Sequence, residues 1–89
     1  MDEKVYFRLS YETLTSDTED FVNACLERAN REDCNDADAE IARARSAIEL
    51  WYCLALAGRA PDDVADRDHL RLNEMILRAP TAEQRSWQQ

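Results

Sequence analysis

The chain opens with apolar and polar residues in alternation. One face of the segment KVYFRLSYE carries only apolar or aromatic side chains: Val5, Phe7, Leu9 and Tyr11. This period of two, in β-branched and aromatic residues, predicts a β-strand over residues 4–12. A lone strand leaves its backbone groups unpaired, so it needs a partner strand from within the chain, from a second copy or from a target whose sheet it extends. The alternative is an extended arm that packs over the second helix.

Two segments with helical spacing follow. The first helix is predicted over residues 17–32, because Ser16 and Glu19 form a capping-box pattern at its start. Its apolar stripe is Phe21, Val22, Cys25, Leu26 and Ala29. A second helix is predicted over residues 36–57, where Asn35 or Asp36 can cap the N-terminal end and Gly58 is placed to end the helix in a left-handed conformation. The stripe of this second helix is Ile41, Ala44, Ile48, Trp51 and Ala55, with Tyr52 alongside.

A third helix is predicted over residues 66–79, with Asp66 or Asp68 as its cap. Its apolar stripe is Leu72, Met75, Ile76 and Ala79. Thr81 and Gln84 can cap a short last helix over 81–87, and a frayed tail is the alternative. The sequence therefore predicts an α+β fold that is mainly helical, with one N-terminal strand and three or four helices around a single small core. A chain of 89 residues forms one domain, 1–89.

The second half of the second helix is apolar on every side. In the segment AIELWYCLALAG the only charged side chain is Glu49, and Leu50 and Leu54 point away from the stripe that contains Ile48. A helix that is apolar all round must be covered all round. We expect the Val5–Phe7–Leu9 face of the N-terminal arm to cover Leu50 and Leu54, from the same chain or from a second copy. These five residues form the predicted oligomer interface.

Acidic residues are concentrated at the N-terminal end. Residues 1–40 hold 12 acidic and 4 basic side chains, which matches the net charge of −8 of the whole chain. Such a field repels nucleic acid and anionic membranes and attracts basic surfaces. Solubility is the simpler use of the same charge. The chain starts MDEKVYF without a secretory signal, and its cysteines, Cys25, Cys34 and Cys53, are odd in number, so we expect reduced thiols and a cytoplasmic location.

Candidate chemistry is sparse. Asp62, Asp66 and His69 recur at i, i+4 and i+7, a spacing that suits a divalent ion, although acids at a helix start also favour the helix dipole. One glycine cannot form a phosphate-binding loop, and no nucleophile stands beside the single histidine in a known pattern. We therefore predict no catalytic residues, no metal and no cofactor. Cys25 and Cys53 are interpreted as small core residues.

An acidic half, an unpaired strand and an excess of apolar helix surface together predict a protein-binding module. In size, charge and helicity the chain resembles small acidic inhibitors such as anti-CRISPR proteins and nuclease-immunity proteins. That resemblance rests on no motif and assigns no residue. The expected role is stoichiometric inhibition of a protein with a basic, nucleic-acid-binding site. The second hypothesis is a homo-oligomeric structural or adaptor protein, and the third is a metal-dependent enzyme. The candidate contacts are acids: Asp17, Asp20, Glu27, Asp36 and Asp38.

Overall fold

A computed structural model describes residues 5–78, and this part of the chain consists of three α-helices. Helix α1 spans Tyr11–Ala29, α2 spans Ala37–Ala57 and α3 spans Asp62–Leu77. The prediction of a mainly helical chain is confirmed. The α+β class is wrong, because residues 5–78 contain no strand. No helix within the described range is long and apolar enough to cross a bilayer.

The predicted strand over residues 4–12 is wrong, because the described part of this segment is an irregular arm and the first turn of α1. Residues 5–10 form neither helix nor strand, and Lys4 lies outside the described residues. The Ser10 side chain caps α1 by accepting a hydrogen bond from the Thr13 N–H at 3.0 Å. The predicted cap, Ser16, lies inside the helix instead. The alternation ends at Tyr11 because that residue turns into the core.

Helix α2 begins directly after Asp36, one of its two predicted N-caps. The Asp36 carboxylate accepts a hydrogen bond from the Ala39 N–H at 3.0 Å, as its place in the sequence indicates. The C-terminal end differs from expectation. Gly58 has a φ of −82°, and the left-handed residue is Arg59, with a φ of 63°. The left-handed conformation is thus adopted one residue after the glycine, by an arginine, although a side chain makes this conformation less favourable.

Helix α3 begins earlier than its predicted start at residue 66. It follows Pro61, and its first residue is Asp62. The early start places Ala65 and Asp68 on the same buried stripe as Leu72 and Ile76. Asp68 was predicted as a cap, but its carboxylate lies against α1. The predicted short helix 81–87 and the end of the third helix at residue 79 lie outside the described residues.

The core lies between the three helices, and α2 packs against both of the others. Its largest fully buried side chains are Trp51, Ile48, Leu72, Val22 and Cys25. The predicted stripe of α2 is confirmed, since Ala44, Ile48, Trp51 and Ala55 are all buried. Cys53 is exposed rather than buried, contrary to its interpretation as a core residue.

Trp51 occupies the centre of this core. Its indole is 1% exposed, and its Nε1–H donates to the Thr15 Oγ1 of α1 at 2.9 Å. Thr15 is buried as well, so water cannot replace either partner. The Trp51 ring also lies 6.1 Å from the Tyr11 ring and 6.2 Å from the His69 ring, between centroids. One side chain of α2 therefore contacts groups from both neighbouring helices.

The substitution Thr15→Val tests the buried hydrogen bond. Valine has nearly the shape of threonine, so the change leaves the Trp51 N–H without an acceptor while keeping the packing. The free energy of unfolding should fall by about 1–3 kcal/mol, the cost of an unpaired buried donor. The measurement is urea unfolding followed by tryptophan fluorescence.

The matched control for this experiment is Thr18→Val. The Thr18 hydroxyl donates to the Leu14 carbonyl at 2.8 Å, a bond that stays within α1 and joins no two helices. Its loss should change the free energy of unfolding by less than about 0.5 kcal/mol. Equal changes in the free energy of unfolding would show that the bond to Trp51 stabilises the fold no more than a bond within one helix does.

Candidate functional site

An apolar groove runs between α1 and α2. It has a volume of about 640 Å³. Leu14 and Phe21 form the α1 wall, and Ala47, Leu50 and Leu54 form much of the α2 wall. Phe21 is 47% exposed, Leu50 61% and Leu54 46%. Side chains of this size usually lie buried, so three of them in one groove indicate a binding surface.

Helical spacing brings these residues together. Leu14, Thr18 and Phe21 recur at i, i+4 and i+7 on α1, next to the buried stripe. On α2, Arg43, Ala47, Leu50 and Leu54 follow the same rhythm. Each helix therefore turns a second apolar edge to solvent on the same side of the pair. Asp17 and Arg43 are the charged residues that line the groove.

A smaller cavity of about 130 Å³ continues from one end of the groove. Leu14 and Leu54 line both spaces, and Leu9 of the arm lines only the small one. Leu9 is thus the arm residue that shares a cavity with Leu54. Val5 is 88% exposed and Phe7 81%. Neither lines the groove, so within the described chain the arm leaves Leu50 uncovered.

Several acids outside this groove are held in ion pairs. Glu40 lies 3.1 Å from the Arg28 guanidinium and 3.4 Å from that of Arg43, and it is largely buried. Glu19 pairs with Arg71 and so connects α1 to α3. These carboxylates hold the helices to one another. They are not available to a partner.

Asp68 is a buried acid of α3, 6% exposed. Its carboxylate accepts a hydrogen bond from the Tyr11 hydroxyl at 2.6 Å and lies within 3.5 Å of the guanidinium groups of Arg67 and Arg71. Burial alone would raise the pKa of Asp68, but these hydrogen bonds and charges together lower it below its ordinary value. The ionised carboxylate therefore stabilises the fold above about pH 4, and this contribution is lost as the pH falls through the lowered pKa.

The predicted contact acids differ from this paired set. All five are exposed. Asp36 is occupied as the N-cap of α2. Within residues 5–78, the other four make no ion pair and no side-chain hydrogen bond: Asp17, Asp20, Glu27 and Asp38.

The free acids occupy two places. Asp20 and Glu27 share one exposed stripe of α1, seven residues apart, and Asp17 lies beside it at the edge of the groove. Asp38 lies in the first turn of α2. This turn follows the short loop after α1, so Asp38 and Glu27 belong to the same end of the helix pair.

The residues considered for a metal serve other purposes. The Asp66 carboxylate accepts a hydrogen bond from the Tyr52 hydroxyl at 2.9 Å, and the His69 ring stacks on the Tyr52 ring with centroids 4.2 Å apart. The Nε2 of His69 lies 3.8 Å from Glu49, which is beyond hydrogen-bonding distance. Across residues 5–78 no three His, Cys, Asp or Glu side chains are grouped so that they could hold a metal ion.

Sequence reasoning missed the α1 side of the groove. Phe21 was placed in the buried stripe of its helix with Val22, yet it is half exposed while Val22 is fully buried. The available signal was the spacing of Leu14, Thr18 and Phe21, which forms a second stripe. That spacing shows that the three residues share a face of the helix, but it does not show whether the face is buried or exposed. Whether a neighbour covers the face depends on where α3 packs.

No protein-family model, no curated protein and no solved structure matches this chain.

The Tyr11–Asp68 hydrogen bond predicts a pH-dependent difference between the wild type and Tyr11→Phe. Burial and the Asp68 carboxylate raise the pKa of Tyr11 to about 12. An unfolded tyrosine ionises near pH 10, so the share of stability due to Tyr11 is complete below about pH 10 and is lost by about pH 12. Near pH 8, Tyr11→Phe should lower the free energy of unfolding by about 1.5–3 kcal/mol. Near pH 11.5 the gap should narrow.

The control for this titration is Tyr6→Phe, because Tyr6 lies in the arm and is 83% exposed. Urea unfolding of the three proteins at both pH values provides the measurement. The Tyr6→Phe protein should follow the wild type throughout. A gap between wild type and Tyr11→Phe that stays constant with pH would contradict the assignment.

Proposed function

We propose that the protein is a non-enzymatic, acidic binding module that inhibits or regulates a partner by occupying a basic site on it. The site on the partner is of the kind that binds nucleic acid, and the carboxylates stand where phosphates would. The module itself contacts neither nucleic acid nor membrane and uses no cofactor. It acts in the cytoplasm, in keeping with three free cysteines.

The observation that supports this proposal is the division of the acids into two sets. The fold uses Glu19, Glu40 and Asp68 in ion pairs between or along its helices. Asp20 and Glu27 have no such partner within the described chain, and they lie on one stripe of α1. Free acids raise the self-repulsion of a chain with a net charge of −8 and add nothing to its packing. A basic partner removes that repulsion.

Binding of this kind depends on charge more than on shape. Rim charges steer association and raise the on-rate, and salt screens them over a distance of about 10 Å at 0.1 M. The free acids therefore predict an interaction that weakens steeply with ionic strength. They also predict competition with nucleic acid, because both ligands need the same basic groups of the partner.

A homo-oligomeric structural or adaptor protein is the second candidate, and one observation favours it. The arm and the groove expose Phe7 and Leu50 in the same chain. A nuclease-immunity protein is a variant of the main proposal with a toxin as the partner.

The double substitution Asp20→Asn with Glu27→Gln tests the acidic stripe. The tagged full chain is used to capture its partner from an extract of the native host, and the recovered protein is purified for calorimetry. Removal of two exposed charge contacts should weaken binding roughly tenfold at low salt. The wild type should lose affinity between about 50 and about 500 mM salt and should be displaced by duplex DNA or RNA.

The matched control is Asp62→Asn with Asp63→Asn, which removes the same net charge from the first turn of α3. It should bind almost as well as the wild type if the stripe of α1 makes the contact. A partner held equally tightly in low and high salt would exclude recognition by charge. Equal weakening by both double substitutions would show that net charge acts without a defined surface.

A further inference from the structure

We propose that two copies of this chain dimerise by exchanging their N-terminal arms, so that residues 5–9 of each copy lie in the α1–α2 groove of the other. This inference is independent of the acidic stripe and concerns the opposite kind of surface. It joins two features that one copy leaves exposed. Both features are apolar, so each can cover the other.

The arm is an apolar peptide without a covering surface of its own. Val5 and Phe7 are more than 80% exposed, and the arm makes no strand. A phenylalanine and a valine left in water forgo the favourable free energy that burial of their apolar surface would give. The alternation that predicted a strand puts Val5, Phe7 and Leu9 on one side of an extended segment. Such a segment can place all three in one groove.

The groove matches that segment in polarity and in place. Phe21, Leu50 and Leu54 form much of its walls, and it is lined by eleven residues of which only two are charged. The end of the groove at Leu14 and Leu54 joins the small cavity that Leu9 lines. An arm therefore starts from Ser10, at the end of the groove, and not from a distant surface. The first described residues and the groove belong to one continuous apolar region.

Charge complementarity selects this arm as the occupant. Arg8 alternates with Phe7 and Leu9, so it faces away from the groove floor when those residues face into it. Asp17 lines the groove on the α1 side. Within the described residues neither Arg8 nor Asp17 has an ion-pair partner. An arm in the groove brings a base to an acidic rim in a chain that is otherwise short of bases.

Exchange between two copies closes the assembly. Each copy gives one arm and receives one, which is an isologous arrangement with two-fold symmetry and no open end. A phenylalanine buries about 150–250 Å², and with Val5, Leu9 and the groove walls two arms bury on the order of 1,200 Å². That is the lower end of the range for specific interfaces, which indicates a dimer that dissociates at low concentration.

Sedimentation equilibrium of the full chain between about 1 and about 200 µM tests the proposal. The apparent mass should rise with concentration from the 10.3 kDa of one chain toward twice that value. The association should persist in high salt, because burial of apolar surface drives it and salt screens the repulsion between two chains of charge −8. This response is opposite to that expected for the basic partner. The two proposals therefore stand or fall separately.

Two substitutions and a control locate the interface. Phe7→Ser and Leu50→Ser should each raise the dimer dissociation constant tenfold or more. Phe7 lies in the arm outside the helices, so its substitution cannot fail by unfolding them. The control is Leu70→Ser on α3, because Leu70 is 61% exposed, as Leu50 is, and does not line the groove. It should leave the dissociation constant unchanged.

A mixing experiment separates exchange between chains from an arm that folds back on its own groove. Arg8→Asp alone and Asp17→Arg alone each put like charges together and should weaken the dimer. In an equimolar mixture the two variants restore both opposite-charge pairs, but only if each arm enters the other chain's groove. The mixture should associate more tightly than either variant.

Three results would overturn the proposal. One is a constant mass of 10.3 kDa up to about 200 µM. Another is loss of the dimer in Leu50→Ser but not in Phe7→Ser, which would mean that groove packs on groove without the arm. The last is a mixture no tighter than its components.

Discussion

The buried hydrogen bond between Trp51 and Thr15 is the constraint on which the arrangement of the helices depends. An indole N–H inside an apolar core must find an acceptor, and among the described residues Trp51 finds a hydroxyl of α1. This sets the register between α1 and α2. With the register set, Tyr11 lies beside Trp51 and reaches Asp68 of α3. The three helices are thus joined through two polar contacts next to one aromatic ring.

The groove follows from the same register. Trp51 fills the space between the helices on the core side, and its neighbours on α2 at positions 47, 50 and 54 form the edge beside it. Helix α3 covers α2 on the side of Tyr52 and His69, where those two rings stack. The chain has no fourth described element for the remaining side. A small core of large residues therefore leaves an apolar edge open, which is a common cost of small size.

Local pattern predicted most of the helical framework and missed what depends on distant contacts. The stripe of Ala44, Ile48 and Trp51 is visible in the sequence because helical spacing and burial coincide there. The first turn of α1 is not visible. Its first two residues, Tyr11 and Glu12, continue the alternation of the arm. The hydroxyl of Tyr11 bonds to a residue 57 positions away, a contact that the local pattern does not show. Asp68 was missed for the same reason, since its partners lie on α1 and along its own helix.

The candidate surfaces were predictable to different degrees. Exposure of acids such as Asp20 and Glu27 follows from their charge alone, and their lack of partners could be seen only once Glu19 and Glu40 had been paired with arginines. Leu50 was recognisable as an excess apolar residue, whereas Phe21 was hidden beside a buried valine. The two proposed interfaces use different faces of α1. An arm-exchanged dimer would cover the groove and leave both acidic stripes exposed, so it would present two equivalent sites to a partner. Such a dimer would bind best to a target that is itself two-fold symmetric or that repeats its basic site.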